Sequence, residues 1–562
     1  MEKRMVAAFA LSILILIGWS ILAKKLFPQP EPPVPPAAPA AVEGDRAAEP
    51  IPPAEPVPQR PAVAATSAAS EQEIRLELDS VQVVLTNRGG RVRSWRLKGY
   101  DTAGRPVDFV SDAARRNDVL PLALSFDDRG VLPGVNHALF DVTRADEPGG
   151  GARVEFRWAD GAGGSVSKTF VFHSDAKLVD VRIDASDHGR KVTPHLVWAP
   201  GLELEDPNQR SNTYYNGQAL VYDGTQVTRI PRRRIDTAVA VPESASVVWA
   251  GLEDQYFTAL MLPEGSRAAV TIAPLAQSGL AAKGQTLPEA VASAPTIAVS
   301  LPEGATQLFV GPKDFGVLSS LGHGLEKAVW FSSYRLIYAC AKPVFLALRF
   351  VHDHWVENYG VAIVILTIGL RLLLFPLNQF SMVRMRKVAG EMQRIQPKLK
   401  QIQAKYKKSK DADGRAKMNA ETMEMYKREG VNPFGGVSGC LPLFIQMPIL
   451  WAFFDVLTAT VELRGAPFFG WIRDLTHPDP FWITPILMGA SMFVQQKMTP
   501  TANVDPAQQR VMLFMPVIFT VMFGSLPSGL VLYYFVNNVL GIGQQWLVNR
   551  HIAKLEAAPS KA

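Results

Sequence analysis

The chain has 562 residues, 48% of them hydrophobic, a formal net charge of +6 and a mean hydropathy of +0.06. It is too long for one ordinary domain and too apolar for a typical soluble enzyme, so a membrane protein with a substantial water-soluble part fits. The positive charge is concentrated in one segment beside apolar stretches, which favours a membrane face or a ribosome over DNA.

Residues 1–27 hold Lys3 and Arg4 and then an apolar run long enough to cross about 30 Å of hydrocarbon at ~1.5 Å per residue. Lys24 and Lys25 follow where a signal-peptide cleavage site would need small residues, so the run reads as an uncleaved anchor. Thirteen prolines between Pro28 and Pro61 make residues 28–72 an extended tether. Residues 73–310 alternate apolar and polar in short bursts, such as Val154-Glu-Phe-Arg-Trp, separated by turn signals such as Asn87-Arg-Gly-Gly. Period two at that spacing predicts an all-β sandwich.

The pattern then turns helical. Residues 311–358 carry Arg335, Lys342 and Arg349 along an amphipathic stretch expected to lie on a membrane surface. Five apolar segments follow at about 359–377, 441–461, 481–494, 511–526 and 529–548, which with the anchor make six expected spans. Between the first two lies a loop, residues 378–440, with fourteen Lys or Arg against six Asp or Glu, a net of +8. By the positive-inside rule that loop is cytoplasmic. Both termini, including the tail 549–562, are then cytoplasmic, and the β domain lies outside, in the periplasm of a bacterium that has one. Cys340 and Cys440 fall on opposite sides of the bilayer and are not expected to pair.

Within residues 359–377 the only ionisable side chain besides the terminal tyrosine is Arg371, six residues, about 9 Å, from the inner end. An arginine at the centre of a span costs roughly 2.5 to 3.5 kcal/mol on insertion scales. Two readings compete: it snorkels to inner-leaflet headgroups, or it faces a hydrated cavity open to the cytoplasm. Thr367, one turn earlier, shares its face. Gln446, beside Met447 and Pro448, and Tyr533, Tyr534, Asn537 and Asn538 are further polar or adaptable positions inside spans, for which ordinary interhelical hydrogen bonding is the simpler account. In the basic loop, Met385, Val388, Met392, Ile395, Leu399, Ile402 and Tyr406 recur at spacings of three and four, and Met418, Thr422 and Met425 offer a stripe to meet them. An antiparallel helical hairpin with a basic outer surface is expected. Half of its charge follows from topology alone, and contact with ribosomal RNA or anionic lipid is the sharper reading.

Enzyme signatures are missing. There is no His-Glu-x-x-His or Gly-x-Ser-x-Gly motif, and the stretch from Gly279 to Thr286 has phosphate-loop spacing with Gln285 in place of its lysine. His352 and His354 flank Asp353, but beside an interfacial helix they read better as headgroup contacts than as metal ligands. No metal or cofactor is expected.

Several stretches resemble the YidC/Oxa/Alb family of membrane protein insertases. They are Leu308-Phe-Val-Gly-Pro-Lys-Asp-Phe, Ala341-Lys-Pro, Leu366-Thr-Ile-Gly-Leu-Arg-Leu-Leu-Leu-Phe-Pro-Leu and Met392-Gln-Arg-Ile-Gln-Pro-Lys, then Tyr426-Lys-Arg-Glu-Gly-Val-Asn-Pro-Phe-Gly-Gly, Leu441-Pro-Leu-Phe-Ile-Gln-Met-Pro and Pro527-Ser-Gly-Leu-Val-Leu-Tyr-Tyr. The likeness is dense over residues 308–550 and thinner in the β domain, where it rests on Asn87-Arg-Gly-Gly and Asp254-Gln-Tyr-Phe. It implies a polytopic helical membrane protein with a periplasmic β supersandwich and a cytoplasmic helical hairpin over residues 383–429. It further implies insertion of nascent membrane proteins through a hydrophilic groove formed by the last five spans. In that groove Arg371 is the positive charge, Thr367, Gln446 and Met447 are neighbours, and Tyr533 or Tyr534 lies near the outer end. The partners implied are the Sec translocon and the ribosome. Two departures from the family pattern are the insertion Val437-Ser-Gly and Asp455, a carboxylate near the outer end of the third span. Two readings from other classes remain: a transporter binding an anion at Arg371, which lacks the expected inverted repeat, and a sugar or peptide binder in the β domain, which leaves five spans and the hairpin unexplained.

Overall fold

A computed structural model describes residues 65–102, 105–128, 130–175, 177–200, 202, 217–235, 237–241, 246–265, 267–281, 284–332, 334–406, 412–430, 441–498 and 506–557. The expected anchor, most of the tether, the Val437-Ser-Gly insertion, Cys440 and the last five residues lie outside them. The chain divides into two compact units between Val329 and Trp330.

The first unit is β-rich, as the alternation predicts. Its largest sheet, ten strands among the described residues, is antiparallel throughout. It runs Val227–Pro231, Gln218–Tyr222, Trp249–Glu253, Phe257–Pro263, Ala305–Pro312, Val179–Asp187, Ser165–Phe172, Gly151–Ala159 and Asp141–Glu147, with Arg190–Lys191 beside Val179–Asp187. A five-stranded and a four-stranded sheet complete the unit. The strand Ser165–Phe172 shows period two plainly: Val166, Lys168, Phe170 and Phe172 all point into the core. Lys168 is fully buried there, and its Nζ donates to the carbonyls of Gly89 at 2.7 Å, Leu122 at 2.9 Å and Gly90 at 3.3 Å. Burial pushes its pKa well below the ordinary lysine range, and Arg91 adds to the effect. The Asn87-Arg-Gly-Gly turn is therefore a packed corner. At Gly89, φ is +71° and a Cβ would lie 2.4 Å from the carbonyl oxygen of Asn136, so only glycine fits.

The second unit is helical. Helix α1, Arg335–His354, buries Ala341, Val344, Phe345, Leu348 and Val351, an i, i+3, i+4, i+7, i+10 stripe. Helix α2, Tyr359–Leu373, is followed after a 57° bend at Leu374 by α3, Phe375–Lys405. The apolar run expected to continue to residue 377 thus breaks early, where Pro376 opens α3 and its missing N–H costs nothing at a helix start. Helix α4, Ala412–Arg428, returns along α3. The pairs Lys398–Glu429 and Lys405–Glu421 join the two arms, and Ile395 and Ile402 of the heptad seam are buried. Then come α5, Leu441–Ala459; α6, Ile483–Met498; α7, Pro506–Phe523; and α8, Ser528–Ala557, which extends nine residues past the expected span end. Helix α1 packs on α2 and α5, while α8 packs on α2 and α6. Among the described residues no single helix is long and apolar enough by itself to cross a membrane, and the bent α2–α3 pair reaches that mark by length and composition only when its two helices are taken together.

The link between α5 and α6 is held by Asp479. Its Oδ1 accepts from Phe481 N at 2.9 Å and Trp471 Nε1 at 3.0 Å, and its Oδ2 from Thr484 N and Oγ1, both at 2.8 Å. Burial pushes the carboxyl up, but the four donors outweigh it and its pKa falls below the usual range. Its stabilisation is therefore complete above the unfolded pKa of about 3.9 and is lost as pH falls through the depressed folded value. Asp479→Ala strands four donors and is expected to destabilise the link by about 2 kcal/mol. Faster hydrogen exchange at the Thr484 amide, with exchange in α4 unchanged, is the readout.

Candidate functional site: a polar seam along the last helix

Arg371 sits in the last turn of α2, where the helix dipole favours a cation. Among the described residues its guanidinium makes one long hydrogen bond, Nη1 to Asn537 Oδ1 at 3.5 Å, and its Nε is buried with no partner. No carboxylate among the described residues pairs with it. Gly541 on α8 makes room for it: a Cβ there would lie 2.6 Å from Arg371 Nη2 and 2.7 Å from Gln495 Nε2.

One turn toward the start of α8, Tyr533 is fully buried, stacked on Phe453 with centroids 4.1 Å apart, and its hydroxyl accepts a hydrogen bond from Gln446 Nε2. Tyr534 packs on Phe523 at 5.1 Å. Asn538 donates to Ser491 Oγ at 3.2 Å, an interhelical bond of the ordinary kind. Thr367 is buried but spends its hydroxyl on its own helix, Oγ1 to Ile363 O at 2.6 Å. Met447 is exposed, because neighbours on a helix point roughly 100° apart and Gln446 takes the inward direction. The structure thus brings Gln446 to Tyr533 and Arg371 to Asn537, all along α8, and leaves Thr367 and Met447 outside those contacts.

Further buried polar groups follow Arg371 in the chain. Asn378 Nδ2, Gln379 Oε1 and Gln544 Oε1 are buried without partners among the described residues, while Gln544 Nε2 donates to Phe375 O at 3.2 Å. Such groups are the ones that take up water. Sequence reasoning missed these three because it drew Asn378 and Gln379 as the start of a loop and passed over Gln544 inside a span. The available signal was the row Asn537, Gln544 and Gln545 recurring within an otherwise apolar segment.

His352 stacks on Tyr359 at 3.7 Å and His354 on Phe350 at 4.5 Å, so both rings are engaged. Gln285 donates to Asn117 O at 2.8 Å within the β-rich unit.

A β-rich unit and a helical unit with a cation inside an apolar helix define the class: a membrane-associated protein with a separate β domain. Residues 73–347 match the family described as YidC periplasmic domain, and residues 350–555 match the 60Kd inner membrane protein family. The membrane protein insertase YidC of Syntrophus aciditrophicus is 33% identical over 98% of this chain and 100% of its own length. That of Geobacter metallireducens is 33% identical over 99% and 100%. A crystal structure of an active YidC insertase with its first transmembrane domain resolved is 17% identical, covers 85% of this chain and 93% of its own, and has a TM-score of 0.35. The chain belongs to the YidC family of membrane protein insertases, and it is an inner-membrane protein.

Proposed function

We propose that this chain inserts nascent membrane proteins into the inner membrane through a hydrophilic groove among α2, α3, α5 and α8, with Arg371 as its positive charge. The observation that carries the reading is a guanidinium inside an apolar helix, buried at Nε and without a carboxylate partner among the described residues. A purely structural arginine at that depth would be paired, because an unpaired buried charge is expensive. An arginine kept available for a passing polar segment stays free.

A nascent span flanked by a polar tail must move that tail through hydrocarbon, where each unsatisfied backbone group costs several kcal/mol. Water around Arg371, Asn378, Gln379 and Gln544 shortens the apolar path from the cytoplasmic side. The cation attracts acidic or polar residues of the tail, and the apolar segment leaves sideways into lipid. No nucleotide is required. The driving force is the substrate's own hydrophobic burial, with the membrane potential acting on tail charges at ~2.3 kcal/mol per charge per 100 mV.

The proposal includes six spans, both termini in the cytoplasm, a periplasmic β domain on a tether, and action alone or with the Sec translocon. The α3–α4 hairpin is the surface for the ribosome and anionic lipid. Asp413, Glu421, Glu424 and Glu429 engage lysines and arginines within the hairpin itself, leaving a cationic surplus outward. Water access tests the groove. A cysteine at Asn537, in a chain with Cys340→Ser and Cys440→Ser, should react with a membrane-impermeant maleimide supplied from the cytoplasmic side. Protection from that side, equal to a lipid-facing Val517→Cys control, would sink the groove.

A further inference from the structure

The link between α5 and α6 is turned inside out relative to a loop made for water. Two of its polar groups are turned inward: Asp479 is buried under its four donors, and the carbonyl of Phe468 accepts from Asn358 Nδ2, at the start of α2, at 2.9 Å. Backbone bonds close it from within, Phe468 N to Ile472 O and Leu475 N to Ala466 O, both at 3.0 Å. Leu463, Ile472 and Leu475 are buried. Ser528 N and Gly529 N at the start of α8 dock on His477 O and Leu475 O at 2.8 and 2.9 Å, so the link is part of the folded unit.

Its outer surface is aromatic. Phe469 is 80% exposed, Phe481 65% and Trp482 42%, with Trp471 partly exposed beside them and the exposed Arg473 between. Trp482 holds φ at +59°, a strained value for a bulky residue, and its ring lies against Gly524, where a Cβ would come within 2.4 Å of it. That contact sets the link beside the end of α7, whose Val517 and Val521 are also exposed. The aromatic surface is therefore continuous with the apolar outer face of the helices.

We propose that this link is a lipid-binding wedge: Phe469, Trp471, Phe481 and Trp482 sit at the headgroup and acyl boundary of the outer leaflet, and Arg473 meets lipid phosphates. The inference rests on the membrane topology proposed above, which puts this link on the outer side. Tryptophan, an aromatic ring with one polar edge, is favoured at membrane interfaces, and Phe469 and Phe481 add purely apolar surface beside Trp471 and Trp482. A folded link that buries Asp479 and exposes Phe469 and Phe481 has lost the gain it would make by facing water.

Nitroxide labels on the full-length chain test it, with Cys340→Ser and Cys440→Ser and one of Phe469→Cys, Phe481→Cys, Val517→Cys or Arg190→Cys. The chain is reconstituted in phosphatidylcholine and phosphatidylglycerol vesicles, and collision with oxygen, which partitions into lipid, is compared with collision with a water-soluble nickel chelate. At positions 469 and 481 oxygen collisions should exceed nickel collisions, as at 517, with the order reversed at 190. Nickel-dominated collisions at 469 and 481 with a lipid-like 517 overturn the wedge and leave the topology standing. A water-like 517 overturns the membrane reading beneath both. Protection of 469 and 481 from both reagents means that protein covers them, which also overturns the wedge.

Discussion

Arg371→Ala is expected to slow insertion of a single-span substrate with a short acidic tail, one that does not need the Sec translocon, by about tenfold. A unit charge 4 Å from a carboxylate is worth about 4 kcal/mol at an effective dielectric of ~20. Water in the groove screens most of that. The roughly 1.4 kcal/mol left corresponds to the factor of ten in rate. Arg371→Lys should recover part of the loss, because it restores the charge without the planar fork that reaches Asn537. The measurement is protease protection of the substrate's tail in cells depleted of the native protein and supplied with each variant. Normal insertion by the alanine variant would remove Arg371 from the mechanism for that substrate.

Glu253→Ala should destabilise the β-rich unit by about 3–5 kcal/mol, the usual penalty for breaking a buried ion pair from one side. Glu253 is buried at the end of a central strand, where Oε2 accepts from Lys313 Nζ at 3.0 Å and Oε1 from Arg229 Nε at 3.2 Å. Lys313 is itself buried, and its remaining bond is to the carbonyl of Asp254 at 2.7 Å. Removing the carboxylate leaves that ammonium with one neutral partner. At ~2–4 °C per kcal/mol for a domain of this size, the melting temperature should fall by about 10 °C. Near-ultraviolet circular dichroism of the detergent-solubilised chain reads it. An unchanged melting temperature would show that the pair contributes nothing net. Glu253→Gln, which keeps an acceptor, should lose less.

Two stretches that carry the family resemblance meet at this pair. Gly311-Pro-Lys-Asp supplies Lys313, and Asp254-Gln-Tyr-Phe supplies the carbonyl it holds and the strand start beside it, Phe257 pairing with Pro312. Asn87-Arg-Gly-Gly is likewise held by Lys168. These motifs serve folding, and their sequences could not say so, because their partners are 59 and 78 residues or more away along the chain.

From the sequence alone, local periodicity determined the β-rich and helical halves, since side-chain direction repeats every two residues in a strand and every 3.6 in a helix. The heptad positions likewise announced the α3–α4 hairpin, and Arg371 stood out because charge is rare inside apolar helices. Tertiary structure decided what no local period contains. It bent the chain 57° after α2, directed Gln446 onto Tyr533 while leaving Met447 exposed, and turned Thr367 back onto its own helix. It also left Asn378 Nδ2, Gln379 Oε1 and Gln544 Oε1 buried without partners among the described residues, with Gln544 on α8 reaching Phe375 O at the start of α3. A side chain's partner depends on which neighbouring helix faces it, and that is set by packing across segments more than a hundred residues apart.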